Sequence, residues 1–449
     1  MSPQPTASGV AVCALAILVC TRPCEAQQAT ATASALATPS AVAAPSATDT
    51  VNESASPPDS PPGPSRRPTP ASSPFIPVPE LDVDPVSGLT YGVIGVFLHT
   101  NDRDQIERIV APDIIHSQYF GWGGRMRIFE FPSEDTQWSV VGGAKQQVER
   151  ELDARYLTGL TRLGEFSLAV EAIYDRSGVP RFFGLGNQTP QSAETTYVDN
   201  QALLNVSLGR NFTPRLQLAY AVRLRSVDVL PGVLPGVPSI ETLFPNVLGL
   251  GSEHELQQSL TLTHDTRDSS SVPQSGMRYS LYAGVVSRAL ASSVSYTFVG
   301  GDARGYLSFA SAYTLAWHLA VRYMPSAADA PFWALSSLGG DRSVLGEREP
   351  LRSDGADRYV DHDLFAGGAE LRKRVATLSA FGTQVSLELA PFIDSGKVSG
   401  TTDTSFVSRL HTAVGLGVRA VASPYVVGYV DVGHGSGRTA VFSGINYPF

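Results

Sequence analysis

Three places in the chain put titratable side chains where chemistry could be done. His264-Asp265 could supply a base and the carboxylate that orients it. Asp361-His362-Asp363 offers three metal-ligand types in a row. Asp394, in APFIDSGKV (390–398), is a carboxylate at the end of a run that is otherwise strand-like and apolar. The first pair has no third partner at readable spacing, and neighbours on a strand face opposite ways, so the two cannot share a site. Three consecutive polar residues after a loop are more often solvated than ligating. The metalloprotease, phosphate-loop and nucleophile-elbow signatures are all missing from the sequence. No catalytic residue, metal or cofactor is therefore expected. Asp394 poses a different question, because a carboxylate in an apolar setting is costly unless something pairs with it.

The elements that carry these residues alternate with a period of two, the signature of strands with one apolar face. In 381–394 the odd positions include Phe381, Val385, Leu387, Leu389 and Ile393, against Gln384, Ser386, Glu388 and Asp394 on the even ones. In 277–285, Met277, Tyr279, Leu281, Ala283 and Val285 oppose Arg278, Ser280, Tyr282 and Gly284. The stretches 166–175 and 201–208 behave alike. Asp394 thus shares the polar face of its strand.

The chain has 449 residues, 43% hydrophobic and 17% charged, with net charge −9. That acidity argues against nucleic acid as a partner, which would require a basic face. Residues 10–19, VAVCALAILV, are as long as a signal-peptide core and too short to cross a bilayer as a helix. A small-x-small site at Cys24-Glu25-Ala26 sets residues 1–26 as a signal peptide, although no Lys or Arg precedes the apolar run. All 3 cysteines lie in that leader, so the mature chain has no disulfide. Residues 27–74 are mostly Ala, Ser, Thr and Pro without one aromatic, too poor in apolar surface to offset ordering entropy, and are expected to be a disordered periplasmic linker. The Asn-x-Ser/Thr sites at Asn187, Asn205 and Asn211 carry no weight in a chain that looks bacterial.

From 75 to 449 the pattern favours a transmembrane antiparallel β-barrel over a soluble sandwich. The polar faces are small or charged on strand after strand, as a wet lumen requires, while the others stay apolar. Short turns alternate with long Gly/Pro-rich connections at 175–196, 226–253, 325–362 and 395–408. The sequence stops on a strand, with Thr439, Val441, Ile445, Tyr447 and Phe449 on one face. A closed barrel leaves no edge unpaired, which lets strands live in lipid. The expectation is an all-β barrel of about sixteen strands, with 137–162 ambiguous for want of a clear turn.

Several segments resemble one family. HDTRDSSSVPQSGMRYSLYAGV (264–285), RFFGLGN (181–187), the long stretch 338–372 and APFIDSGKV are similar, in order, to segments of the BamA/TamA-like outer-membrane superfamily, the bacterial surface antigen barrel. The resemblance implies that a long loop folds into the lumen and that its Arg meets the Asp of F-x-D-x-G on the wall. Here that Asp is Asp394 and the Arg is Arg352, with Arg342 as second choice, because Ser353 and Asp354 replace the family's Gly and aromatic. Glu370 and Arg372, sharing one face of the preceding strand, could extend the pair. Tyr447 and Phe449 would serve as the C-terminal assembly signal. The resemblance further implies residence in the outer membrane of a Gram-negative bacterium and a non-enzymatic role in outer-membrane biogenesis or lipid or polypeptide translocation. The expected partners are outer-membrane lipids and, during insertion, the barrel-assembly machinery. A linker stands where the family's POTRA domains would, so no POTRA-mediated partner is expected. A passive porin-like channel and a barrel-borne lipid hydrolase are the alternatives.

If 27–74 is only a linker, a chain with its leader joined directly to Phe75 should still assemble. The check is the heat-modifiable folded band on a gel; its loss with expression intact would contradict the assignment.

Overall fold

The computed structural model describes residues 75–84, 88–100, 106–133, 135–310, 312–380, 383–400, 408–422, 426–445 and 447–449. The expected leader and linker lie outside the described residues, as does Phe381. The described chain is an antiparallel meander gathered into one 20-stranded sheet. One member, Arg181–Phe182, has two residues. Ile106–Val110 and Asp113–Ser117 are halves of one strand broken at Ala111-Pro112, because proline has no N–H to give the ladder. Among the described residues the wall is therefore about eighteen full strands, two more than the sixteen expected from the sequence and still an even number, as closure favours. The ambiguous stretch resolves into a hairpin, Thr136–Lys145 against Arg150–Thr158. The first strand, Phe75–Asp84, lies beside the last, Arg438–Ile445.

The period of two becomes an inside and an outside. On Gly276–Val286, Met277, Tyr279 and Leu281 are exposed while Arg278, Ser280 and Tyr282 are buried. On Thr383–Ser399, Leu389 and Ile393 face out and Glu388, Phe392 and Asp394 face in. An apolar residue left exposed on strand after strand is the lipid-facing band of a barrel. The longest strands overshoot that band. Thr195–Thr213 has 19 residues, about 60 Å of extended chain, where a tilted membrane strand needs about ten. The surplus length bears Tyr197, Val227, Tyr296 and Met324, which face inward and pack with Phe332 and Trp333 from the following loop. The apolar core of the molecule thus sits inside the mouth with the long connections.

That loop spans 330–362, between Tyr313–Asp329 and Asp363–Ala380. It forms its own three-stranded sheet of Ser336–Leu338, Arg348–Glu349 and Tyr359–Asp361. Inside the barrel, its Leu338, Leu351 and Tyr359 are buried against the wall residues Leu364, Ala366, Val398 and Ala413.

The C-terminal residues depart from the sequence expectation. The last strand stops at Ile445, so Tyr447 and Phe449 do not continue its outward face. Pro448 cannot donate to the ladder, and the chain turns into the lumen. Phe449 packs against Tyr306 and Ala316, its ring 4.2 Å from that of His318. Ser343 N–H of the lumen loop donates to the Pro448 carbonyl at 3.2 Å. Val272, from the short connection after Gly251–Asp265, packs with Val421 and Tyr447.

An outward charge should be intolerable in mid-strand. Leu281 is 63% exposed between Leu262 and Gly301 on the neighbouring strands. Leu281→Arg should cost ~2–4 kcal/mol at the bilayer midplane, read as a fall in denaturant midpoint in lipid, whereas Leu281→Met should stay close to the parent.

Candidate functional site

Asp394 sits on the lumen face of Thr383–Ser399, opposite Gly368 on one neighbour and Ala413 on the other. Small residues on both sides leave room above the carboxylate, and the lumen loop fills it. Arg352 donates from Nη2 to Asp394 Oδ1 at 2.8 Å, and from Nε to Oδ2 at 2.8 Å. Its backbone N–H adds a bond to the same Oδ2 at 3.1 Å. This planar, two-toothed grip is what a guanidinium offers and an ammonium does not. Nη1 reaches Glu370 Oε2 at 3.0 Å and Asp431 Oδ2 at 2.9 Å. The face of the guanidinium lies 3.5 Å from the centre of the Phe392 ring.

The carboxylates are themselves held. Arg372 donates to Glu370 Oε1 at 2.8 Å, and Arg419 donates to Glu370 Oε2 at 2.8 Å and to Asp431. Three guanidiniums therefore face three carboxylates, all buried. Burial opposes the charge on Arg352, but Asp394, Asp431 and Glu370 outweigh it and raise its pKa well above the ordinary value. Deeper in the loop, Glu349 accepts from Ser343 Oγ at 2.9 Å. Burial, and then the neighbouring Asp302, push its carboxyl above the usual range.

The wall is cut to fit the loop. A Cβ on Gly433 would stand 1.8 Å from the Arg352 carbonyl oxygen, and one on Gly435 would meet Ser353 Oγ at 2.8 Å. Ser353 and Asp354, which stand where the family resemblance has Gly and an aromatic, make their own contacts. Ser353 Oγ donates to Asp354 Oδ2 at 2.8 Å, and Arg438 donates to Asp354 Oδ1 at 2.9 Å.

Of the residues singled out in the sequence, the fold brings Arg352, Asp394, Glu370 and Arg372 together. Arg342 lies elsewhere, over the Tyr429 ring, with Nε donating to Tyr429 Oη at 3.2 Å. Tyr447 joins the edge of the cluster: Arg372 stacks over its ring at 3.4 Å, and its hydroxyl donates to Glu388 at 3.0 Å. Asn187 of RFFGLGN closes the mouth above, donating to the Arg409 carbonyl at 2.8 Å and accepting from Val398 N–H at 3.1 Å. His264 is exposed while Asp265 is held by Arg267, so the two share no site. Among the described residues no three metal-ligating side chains converge, those at 361–363 included. Sequence reading missed Arg419 and Asp431. Their signal was that of Asp394: a lone charge on the glycine-bearing face of a strand, Gly415 and Gly417 beside Arg419, Gly433 beside Asp431.

Removing one member strands its partners. Arg352→Ala or Asp394→Ala should each cost ~3–5 kcal/mol in unfolding free energy, as for other broken buried pairs. The double variant should cost less than the sum of the two, and strict additivity would exclude the pairing. Gly433→Ala should unseat the loop at ~1–3 kcal/mol without touching a charge, measured in the same denaturation series.

Comparison with known proteins agrees with this architecture. The profile of the Omp85 superfamily domain matches residues 161–426, more than half of the chain. The crystal structure of BamA from Haemophilus ducreyi lacking POTRA domains 1-3 superposes with a TM-score of 0.50 at 12% identity, covering 79% of this chain and 75% of that one. CdiB from Escherichia coli superposes with a TM-score of 0.53 at 12% identity, covering 79% and 67%. Structural likeness at such identity speaks for the fold alone. No curated protein matches the sequence. The profile match and the barrel with its inserted loop lead to one conclusion: this chain belongs to the Omp85 superfamily.

Proposed function

We propose that the protein is a non-enzymatic outer-membrane barrel that inserts or moves polypeptide or lipid, with its lumen loop as the part that shifts. The observation that carries this reading is the seat of Arg352. A loop held by three buried carboxylates lies inside the lumen, which a passive pore would keep open. The first and last strands lie side by side, which supplies a seam through which a client could reach lipid. The family match supports residence in the outer membrane, and the linker 27–74 is read as periplasmic on sequence grounds. Tyr447 and Phe449 are proposed to guide assembly of this barrel before they fold inward. A hydrolase reading draws no support from the site, since each carboxylate of the cluster is held by an arginine rather than facing a nucleophile.

The test uses the full chain in planar bilayers and in proteoliposomes. Wild-type protein should show no steady porin-type conductance, and deletion of 340–360 should open one. Proteoliposomes should speed the folding of an unfolded barrel client, and should not turn over lipid. Steady conductance of the wild type without any effect on the client would favour the porin reading and overturn this one.

A further inference from the structure

The cluster under Arg352 is charge-balanced; a second buried cluster in the same lumen is not. Asp265, Arg278 and Arg304 lie directly opposite one another on three successive strands. Arg278 is 3% exposed, flanked by the outward Met277 and Tyr279, so its side chain points into the lumen. Its charged neighbours are Arg267, Arg304, Asp265 and Asp302. Both aspartates are already committed. Arg267 grips Asp265 through Nε at 3.0 Å and Nη2 at 2.8 Å. Arg304 grips Asp302 through Nε at 2.9 Å. Arg162 lies near Asp265 and Arg267 and adds a further cation. Glu349, beside Arg304 and Asp302, accepts from Ser343 instead.

Two of these four guanidiniums, those of Arg267 and Arg304, hold the two aspartates, and of the other two the fully buried one is the guanidinium of Arg278. It makes no hydrogen bond or ion pair with the described residues, and its Nε is buried without a partner. Arg304 spends Nε on Asp302 and Nη2 on Ser343 Oγ, leaving Nη1 uncommitted on the neighbouring strand. A buried cation without an anion is strongly unfavourable, and a guanidinium's paired N–H groups match the oxygens of an oxyanion better than they match a halide.

We propose that Arg278, with the free edge of Arg304, binds an oxyanion of the phosphate class in the lumen, near the connection Thr266–Ser275. A free phosphate or the phosphate of a lipid headgroup carries the same chemistry.

The test uses the full chain in nonionic-detergent micelles free of phosphate. Inorganic phosphate is titrated by calorimetry, with ionic strength held constant by sodium chloride. One saturable site is expected, weakened by about tenfold or more in Arg278→Gln, the loss of a charge-assisted bond. Arg210→Gln, which removes an exposed ion pair to Glu165, should bind as the wild type does. Repeating the titration in nanodiscs of phosphatidylethanolamine and phosphatidylglycerol separates the sources. Loss of the site there assigns it to a headgroup, and persistence assigns it to free phosphate. Absence of saturable binding in wild-type micelles, or equal binding by Arg278→Gln, overturns the proposal. Should Arg278→Gln fail to give the folded band, Arg278→Lys takes its place, and wild-type protein must unfold at a higher temperature in phosphate than in chloride of equal ionic strength. Without that rise the proposal falls.

Discussion

The structure depends on one guanidinium being more stable inside the barrel than in water. Arg352 gives up its hydration completely, and what it receives is a two-toothed bond to Asp394, single bonds to Glu370 and Asp431, and the face of Phe392. Desolvating one such charge costs several kcal/mol, and only good geometry with every donor used can recover it. Because the gain requires all the partners at once, the loop has one seat and not a range of them. The same requirement fixes the neighbouring walls, since Arg419 and Arg372 must stand where they neutralise the carboxylates that Arg352 shares.

A barrel wall is a poor place to dock a backbone, because alternate side chains fill the space over it. This chain clears that space with glycine where the loop comes closest: Gly433 lies directly under the Arg352 carbonyl. The loop then contributes what the wall lacks, the apolar Leu338 and Leu351 that close a small core against Leu364 and Val398. At the mouth above, the surplus length of the strands encloses a larger core around Phe332 and Trp333. At the opposite end Tyr447, Phe449 and Val272 pack inward. Apolar packing at both ends and an ion cluster between them line up along the lumen.

The charge pattern inside is uneven in a way that the loop does not explain. Around Arg352 the charges cancel, whereas around Arg278 they leave a cation over. The first arrangement suits holding the chain's own loop, and the second suits a group from outside. The two lie in one lumen, and beside the second Ser343 of the loop contacts Arg304, Glu349 and the Pro448 carbonyl.

The sequence by itself determined the period of two and the facing of Asp394, because alternation is a local property of a strand; the barrel was favoured over a sandwich by the polar faces and the alternating connection lengths. Arg352 as partner of Asp394 came from the resemblance to the family's loop motif, with Arg342 as second choice, and not from spacing. Three matters were decided by tertiary structure. Asp431 and Arg419 lie 37 and 25 residues beyond Asp394 in the chain and become its neighbours through strand register across the sheet. Tyr447 and Phe449 alternate as a strand would, yet turn inward, because Pro448 ends the ladder and Arg372 and His318 offer their rings a better surface than lipid. Nor could spacing reveal that Arg278 lacks an anion, for its flanking carboxylates are as close in sequence as any partner; only their capture by Arg267 and Arg304 leaves it alone. Pairing among buried charges is a competition, and its outcome is set by distances that exist only once the barrel has closed.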